Sequence, residues 1–150
     1  MQSLQSEVKE VNEFRVMLVD DEKDFLETLC KRLTKRKLDV TSATGGREAI
    51  TKIESVPIDV VVLDVRMPDM DGIETLKRIK KIKPSVEVIM LTAHADLEVA
   101  MEGMELGAFD YLMKPIEIDE LLYKLQDAYK KKWCREESEK CELPRSLEVT

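Results

Sequence analysis

Ile58-Asp59-Val60-Val61-Val62-Leu63-Asp64 is almost continuously apolar and closes on a carboxylate. A short apolar run without polar alternation suits a strand covered on both faces, as in a parallel sheet flanked by helices. Outward from it, a short apolar run followed by a helical stripe recurs along the chain. Upstream, residues 15–20 precede Phe25, Leu26, Leu29, Cys30 and Leu33 at helical spacing, and residues 38–41 lead into 45–55, where Ala49, Ile50 and Ile53 form a stripe. Downstream come Ile73, Leu76 and Ile79, then residues 86–91 followed by Leu97, Ala100, Met101 and Met104. Residues 109–112 precede Leu121, Leu122, Leu125, Ala128 and Tyr129. Five strands alternating with five helices predict an α/β fold with a parallel sheet and helices on both faces. Right-handed crossovers leave a few doubly wound forms, in which functional groups gather beyond the carboxyl ends of the strands.

Length and composition bound the rest. The 150 residues suit one domain, and 43% apolar content suffices for a core. Asp and Glu number 31 against 24 Lys and Arg, a net charge of −7 that should repel nucleic acid. No apolar run is long enough to span a membrane, and Met1-Gln-Ser-Leu-Gln-Ser-Glu7 is no secretory signal. Three cysteines with one histidine disfavour a disulfide framework and a zinc site, so a reduced, cytoplasmic protein is expected. The pattern divides the chain into an arm over 1–13, a domain over 14–131 and a charged tail or linker over 132–150. The last helix is expected to run into solvent until Pro144 stops it. Only about 18 residues follow position 132, too few for a further domain, which leaves a stand-alone module or a fragment.

Four of the five strands end in polar or ionisable residues on one rim: Asp20-Asp21, Asp64, Thr92 and Lys114-Pro115. Singly, Asp21 suits a helix cap, Thr92 a turn and Lys114 a solvated charge. Together, three carboxylates in one cleft repel one another and need a cation. Mg²⁺, a hard ion that takes oxygen ligands and keeps open positions for phosphate, fits them. With the charge of Lys114 and the hydroxyl of Thr92, this set suits phosphoryl transfer, with Asp64 as the nucleophile.

Asp20-Asp21, the stretch Leu63-Asp-Val-Arg-Met-Pro-Asp-Met-Asp-Gly72, Leu91-Thr-Ala93 and Ala108-Phe-Asp-Tyr-Leu-Met-Lys-Pro115 resemble the receiver domain of two-component response regulators, over roughly 14–130. Thr92-Ala-His94 and Gly107-Ala-Phe-Asp-Tyr-Leu112 bring it nearest the nitrogen-regulatory, sigma-54-activator type. The resemblance implies a flavodoxin-like sheet of strand order 2-1-3-4-5. It implies that Asp64 accepts a phosphoryl group from a sensor histidine kinase or phosphotransfer protein. Mg²⁺ would be bound directly by Asp21, Asp64 and the backbone carbonyl of Arg66, with Asp20 acting through water. Thr92 would hydrogen-bond the phosphoryl oxygens, Lys114 would pair with them, and Tyr111 would be the switch aromatic that turns inward. A cis Lys114–Pro115 bond is implied too, as is a homodimer through the fourth helix, fifth strand and fifth helix, around Val99, Met104, Tyr111 and Tyr123. Water must approach an aspartyl phosphate in line, so Arg66 and His94, two residues past the nucleophile and the threonine, would tune its loss. Arg66 is expected to shield and His94 to orient the water.

A signalling module controlling an output domain or partner, in transcription regulation, is thus expected in place of a turnover enzyme. A haloacid-dehalogenase-type phosphatase also uses an aspartate and Mg²⁺, but needs an acid where Arg66 stands. A flavodoxin needs a phosphate-cradling loop where Asp20-Asp21-Glu22 would repel the ligand. The basic run 77–83 reads as the solvated face of the third helix.

Overall fold

A computed structural model describes residues 14–149, apart from the side chains of His94 and residues 138–149; the expected arm over 1–13 lies outside it. The strands are β1 (Arg15–Val19), β2 (Asp39–Ala43), β3 (Val60–Asp64), β4 (Glu87–Thr92) and β5 (Asp110–Met113). They form one parallel sheet in the order β2-β1-β3-β4-β5, the doubly wound form the resemblance implies. Between and after them run α1 (Lys23–Lys35), α2 (Gly46–Ser55), α3 (Gly72–Ile82), α4 (Leu97–Glu105) and α5 (Ile118–Val149), with a 3-10 turn at His94–Asp96.

Successive side chains of a strand point to opposite faces, and this splits the core in two. Met17, Val19, Val61, Leu63, Val88 and Met90 face α2, α3 and α4 through Ala49, Ile53, Leu76, Ile79 and Ala100. Val16, Leu18, Val60, Val62, Ile89 and Leu91 face α1 and α5 through Leu26, Leu29, Leu33, Leu121, Leu125 and Ala128. Every residue of β3 is buried, which is why this strand shows no alternation. Each such side chain contributes about 1.5–3 kcal/mol, so β3 anchors the rim residue at its end.

The loop after β3 is fixed at both sides. Asp71 caps α3 by accepting the Glu74 N–H at 2.8 Å, while Asp69 accepts the N–H groups of Gly46 and Arg47, both at 3.2 Å, at the start of α2. A Cβ at Gly72 would lie 2.7 Å from the Asp64 carbonyl oxygen and 2.8 Å from the Val65 Cα. Only glycine lets α3 start this close to the end of β3.

The C-terminal segment departs from expectation. Helix α5 continues through Pro144 to Val149; the proline removes one backbone donor without ending the run. Nor do residues 132–137 leave the domain. Lys132 Nζ donates to Asp59 Oδ1 at 2.8 Å, and Arg135 donates to the Pro84 carbonyl at 3.0 Å and lies 3.6 Å from Glu87. Asp59 and Glu87 stand at the amino ends of β3 and β4, 6% and 0% exposed. Lys80, from the supposedly solvated run, donates to Pro84 and Val86 carbonyls at 2.9 Å and lies 3.8 Å from Glu87. Burial holds its pKa below the usual lysine range, against the pull of Glu87. Two buried acids need cations, and the chain past 131 supplies two of them, so a boundary at 131 cuts through this ionic cluster.

Candidate functional site

In this strand order the chain leaves β1 and β3 towards opposite faces, opening a crevice beyond their carboxyl ends. Asp20 and Asp21 follow β1 and Asp64 ends β3, so the crevice is acidic from both walls. One carboxylate oxygen from each of the three lies within 4.8 Å of the others. Thr92 ends β4, Lys114 follows β5, and the Lys114 N–H donates to the Thr92 carbonyl at 2.9 Å, tying those two strand ends together. The Lys114–Pro115 bond is cis.

Lys114 Nζ donates to Asp20 Oδ2 at 3.0 Å and lies 3.7 Å from Asp64 Oδ1. The other Asp20 oxygen accepts the Glu22 N–H at 2.9 Å. Burial disfavours the ammonium charge, but Asp20 and Asp64 outweigh it and raise the Lys114 pKa. For Asp64, burial is the largest influence; Asp20 and Asp21 add to it, Lys114 and the Arg66 N–H oppose it, and the pKa is pushed up to about 6. One ammonium beside three carboxylates leaves negative charge uncompensated. Hard oxygen donors at this spacing suit a divalent ion such as Mg²⁺, with the Arg66 carbonyl on the adjoining loop.

Thr92 is fully buried, and its hydroxyl donates to the Ala93 carbonyl at 2.9 Å. Tyr111 is half-buried, packed against the same core as Val99 and Met104. A cavity of about 640 Å³ opens beside Asp21, lined by Arg66, Met67, Asp71 and Val99 among others. The guanidinium of Arg66 pairs with Asp96, Nε to Oδ1 at 2.6 Å; its side chain is 77% exposed, that of Asp96 8%. This bridge joins the loop after β3 to the turn before α4. His94 begins that turn, and its side chain lies outside the described residues. Of the residues expected at the rim, the structure gathers the carboxylates of Asp20, Asp21 and Asp64 with the Lys114 ammonium, and ties Thr92 to Lys114 through the backbone. Sequence reasoning missed Asp96 as partner of Arg66, and Asp59 and Glu87, whose signal was an acid bordering an apolar run.

A sequence model described as the response regulator receiver domain matches residues 16–126. The chain is 38% identical over 107 residues to the regulatory protein AtoC of Escherichia coli K12, covering 71% of this chain and 23% of that protein. It is 42% identical over 103 residues to the DNA-binding transcriptional regulator NtrC of Klebsiella pneumoniae, covering 69% of this chain and 22% of that one. The chain thus spans about a quarter of the length of these relatives. Among solved structures, the receiver domain of the Francisella response regulator 1452 superposes with a TM-score of 0.73 at 35% identity, over 79% of this chain and 98% of that one.

Proposed function

Because the chain belongs to the response regulator receiver family of two-component systems, we propose that Asp64 is its phosphoryl acceptor. The donor is the phosphohistidine of a sensor histidine kinase or phosphotransfer protein. A carboxylate oxygen of Asp64 attacks phosphorus in line, the N–P bond breaks, and the imidazole leaves. The observation that carries this is the placing of Asp64 at the end of β3 between two further carboxylates and an ammonium. Asp21, Asp64 and the Arg66 carbonyl would hold Mg²⁺ directly and Asp20 would act through water, and the ion would supply charge neutralisation for the phosphoryl oxygens. Lys114 pairs with one of those oxygens. Thr92 turns its hydroxyl from the Ala93 carbonyl to another, and Tyr111 follows inward. Phosphorylation thereby gives Thr92 and Lys114 a partner that one conformation alone offers, which shifts a pre-existing balance.

The responding face is α4, β5 and α5, where Met101, Leu106 and Tyr123 stand exposed, and its readout is a homodimer or an output segment. Transcription control fits the names of the relatives. With a net charge of −7, contact with nucleic acid is assigned elsewhere than to this segment. Among the described residues no helix is long and apolar enough to cross a membrane, and a cytoplasmic site suits the proposed kinase partner. The phosphatase alternative has no support from the comparisons, and its second acid is replaced by Arg66.

Acetyl phosphate with Mg²⁺ is expected to add one phosphoryl group per chain by intact mass, and a chelator to prevent it. Equal labelling with chelator present would refute the assignment. Arg66 and His94 bear on lifetime: held by Asp96, Arg66 keeps a cation at the mouth of the crevice, shielding the phosphoryl group. Arg66→Ala is expected to speed loss of the phosphoryl group and His94→Ala to slow it or leave it unchanged, in a decay course of the purified phosphoprotein. Slower decay in Arg66→Ala would reverse its role.

A further inference from the structure

We propose that Phe25 is a positioning residue that holds the Lys114 ammonium at the phosphoacceptor site through the face of its ring. The Lys114 Nζ lies 4.6 Å from the Phe25 ring centroid, inside the range of about 6 Å in which a cation is drawn to an aromatic face. Phe25 sits in the first turn of α1, half-buried against the core that includes Leu26 and Leu29. Its ring is therefore anchored, whereas the lysine hangs on a flexible four-carbon stem. Beside both residues runs an open groove of about 530 Å³, lined also by Thr28, Arg32, Pro115 and Ile116. Without an aromatic wall, the ammonium is free to swing into that groove and away from Asp64.

The ring does something the acids cannot. Of the contacts that hold the ammonium, the hydrogen bond to Asp20 and the nearness to Asp64 both involve carboxylates that the proposed reaction needs for other work. Phe25 is uncharged and competes with neither. It keeps the ammonium near the rim whatever those carboxylates bind. Phe25 touches no reacting atom and acts through Lys114 alone.

This inference rests on Asp64 being the acceptor, and two readouts separate the claims. In the metal-free parent protein, the ε-methylene protons of Lys114 are expected upfield of those of the other lysines, because the Nζ they adjoin lies over the ring face; Phe25→Leu removes that shift. With acetyl phosphate, a donor too small to need a docking surface, Phe25→Leu is expected to lower the phosphorylation rate constant about three- to ten-fold. Phe25→Tyr, which keeps the aromatic face, restores it. A parent with no upfield Lys114 shift overturns the proposal, as does Phe25→Leu phosphorylated at the parent rate. Phe25→Tyr as slow as Phe25→Leu overturns it too, by showing that shape and not the ring face matters. A parent that takes up no phosphoryl group refutes the Asp64 assignment instead, and the NMR shift then decides whether the ring holds the lysine.

Discussion

Asp64→Asn is expected to abolish phosphoryl uptake and, in metal-free protein above about pH 6, to make the fold more stable. The first effect follows because a carboxamide supplies no anionic oxygen to attack phosphorus. The second follows from the crowding of charge. The pKa of Asp64 is raised from 3.8 to about 6 by burial and by its acidic neighbours. A group whose folded pKa is raised binds its proton more tightly in the folded state, so its contribution is fully present below the unfolded pKa and lost as pH rises through about 6. Above that pH the ionised side chain weakens the native state by about 1–2 kcal/mol, allowing for the part that solvent screens. Denaturant unfolding in chelator at pH 8 and pH 5 checks this. The variant should be the more stable protein at pH 8, with the gap narrowing at pH 5. Equal stability at pH 8 would mean that the three acids do not strain the fold. The same proton competes with a cation, so Mg²⁺ affinity is expected to fall as pH drops through about 6.

Ending the chain after Lys131 is expected to cost about 3–5 kcal/mol, whereas ending it after Glu137 costs little. The shorter cut removes Lys132 and Arg135 and leaves Asp59 and Glu87 buried with fewer cations. Glu87 is the more exposed to this loss in energetic terms, since neither of its buried oxygens receives a hydrogen bond among the described residues. Asp59 keeps the Arg15 N–H and a guanidinium 3.6 Å away, which soften its share. For a domain of this size the expected fall in Tm is roughly 10–20 °C. Thermal melts of the two truncations against the full chain decide it; matching melts for all three would show that the ionic cluster contributes nothing to the fold.

The fold was readable because its signal is redundant. Five apolar runs and five helical stripes alternate, and burial on both faces leaves β3 without polar positions. The rim was readable for a related reason: chemistry in a doubly wound sheet is confined to strand ends, and Asp20, Asp64, Thr92 and Lys114 occupy four of them. What escaped were contacts between side chains far apart in sequence that leave no periodic trace. Arg66 and Asp96 are thirty residues apart on two loops, and neither looks unusual alone. Lys132 and Arg135 sit in a dense run of charges that reads as a solvated helix face, and nothing in that run shows that they reach the buried acids Asp59 and Glu87 at the far end of the sheet. Phe25 read as one more member of an apolar stripe, because the lysine above it comes from far along the chain, just after β5.

Reductive trapping tests the assignment of the phosphoryl group to Asp64. Protein phosphorylated with acetyl phosphate and Mg²⁺ is treated with borohydride, which converts an aspartyl phosphate to homoserine, and its peptides are sequenced by mass spectrometry. Homoserine is expected at residue 64, with aspartate intact at residues 20 and 21. Homoserine at residue 20 or 21, or none in a protein whose mass has risen, would contradict it.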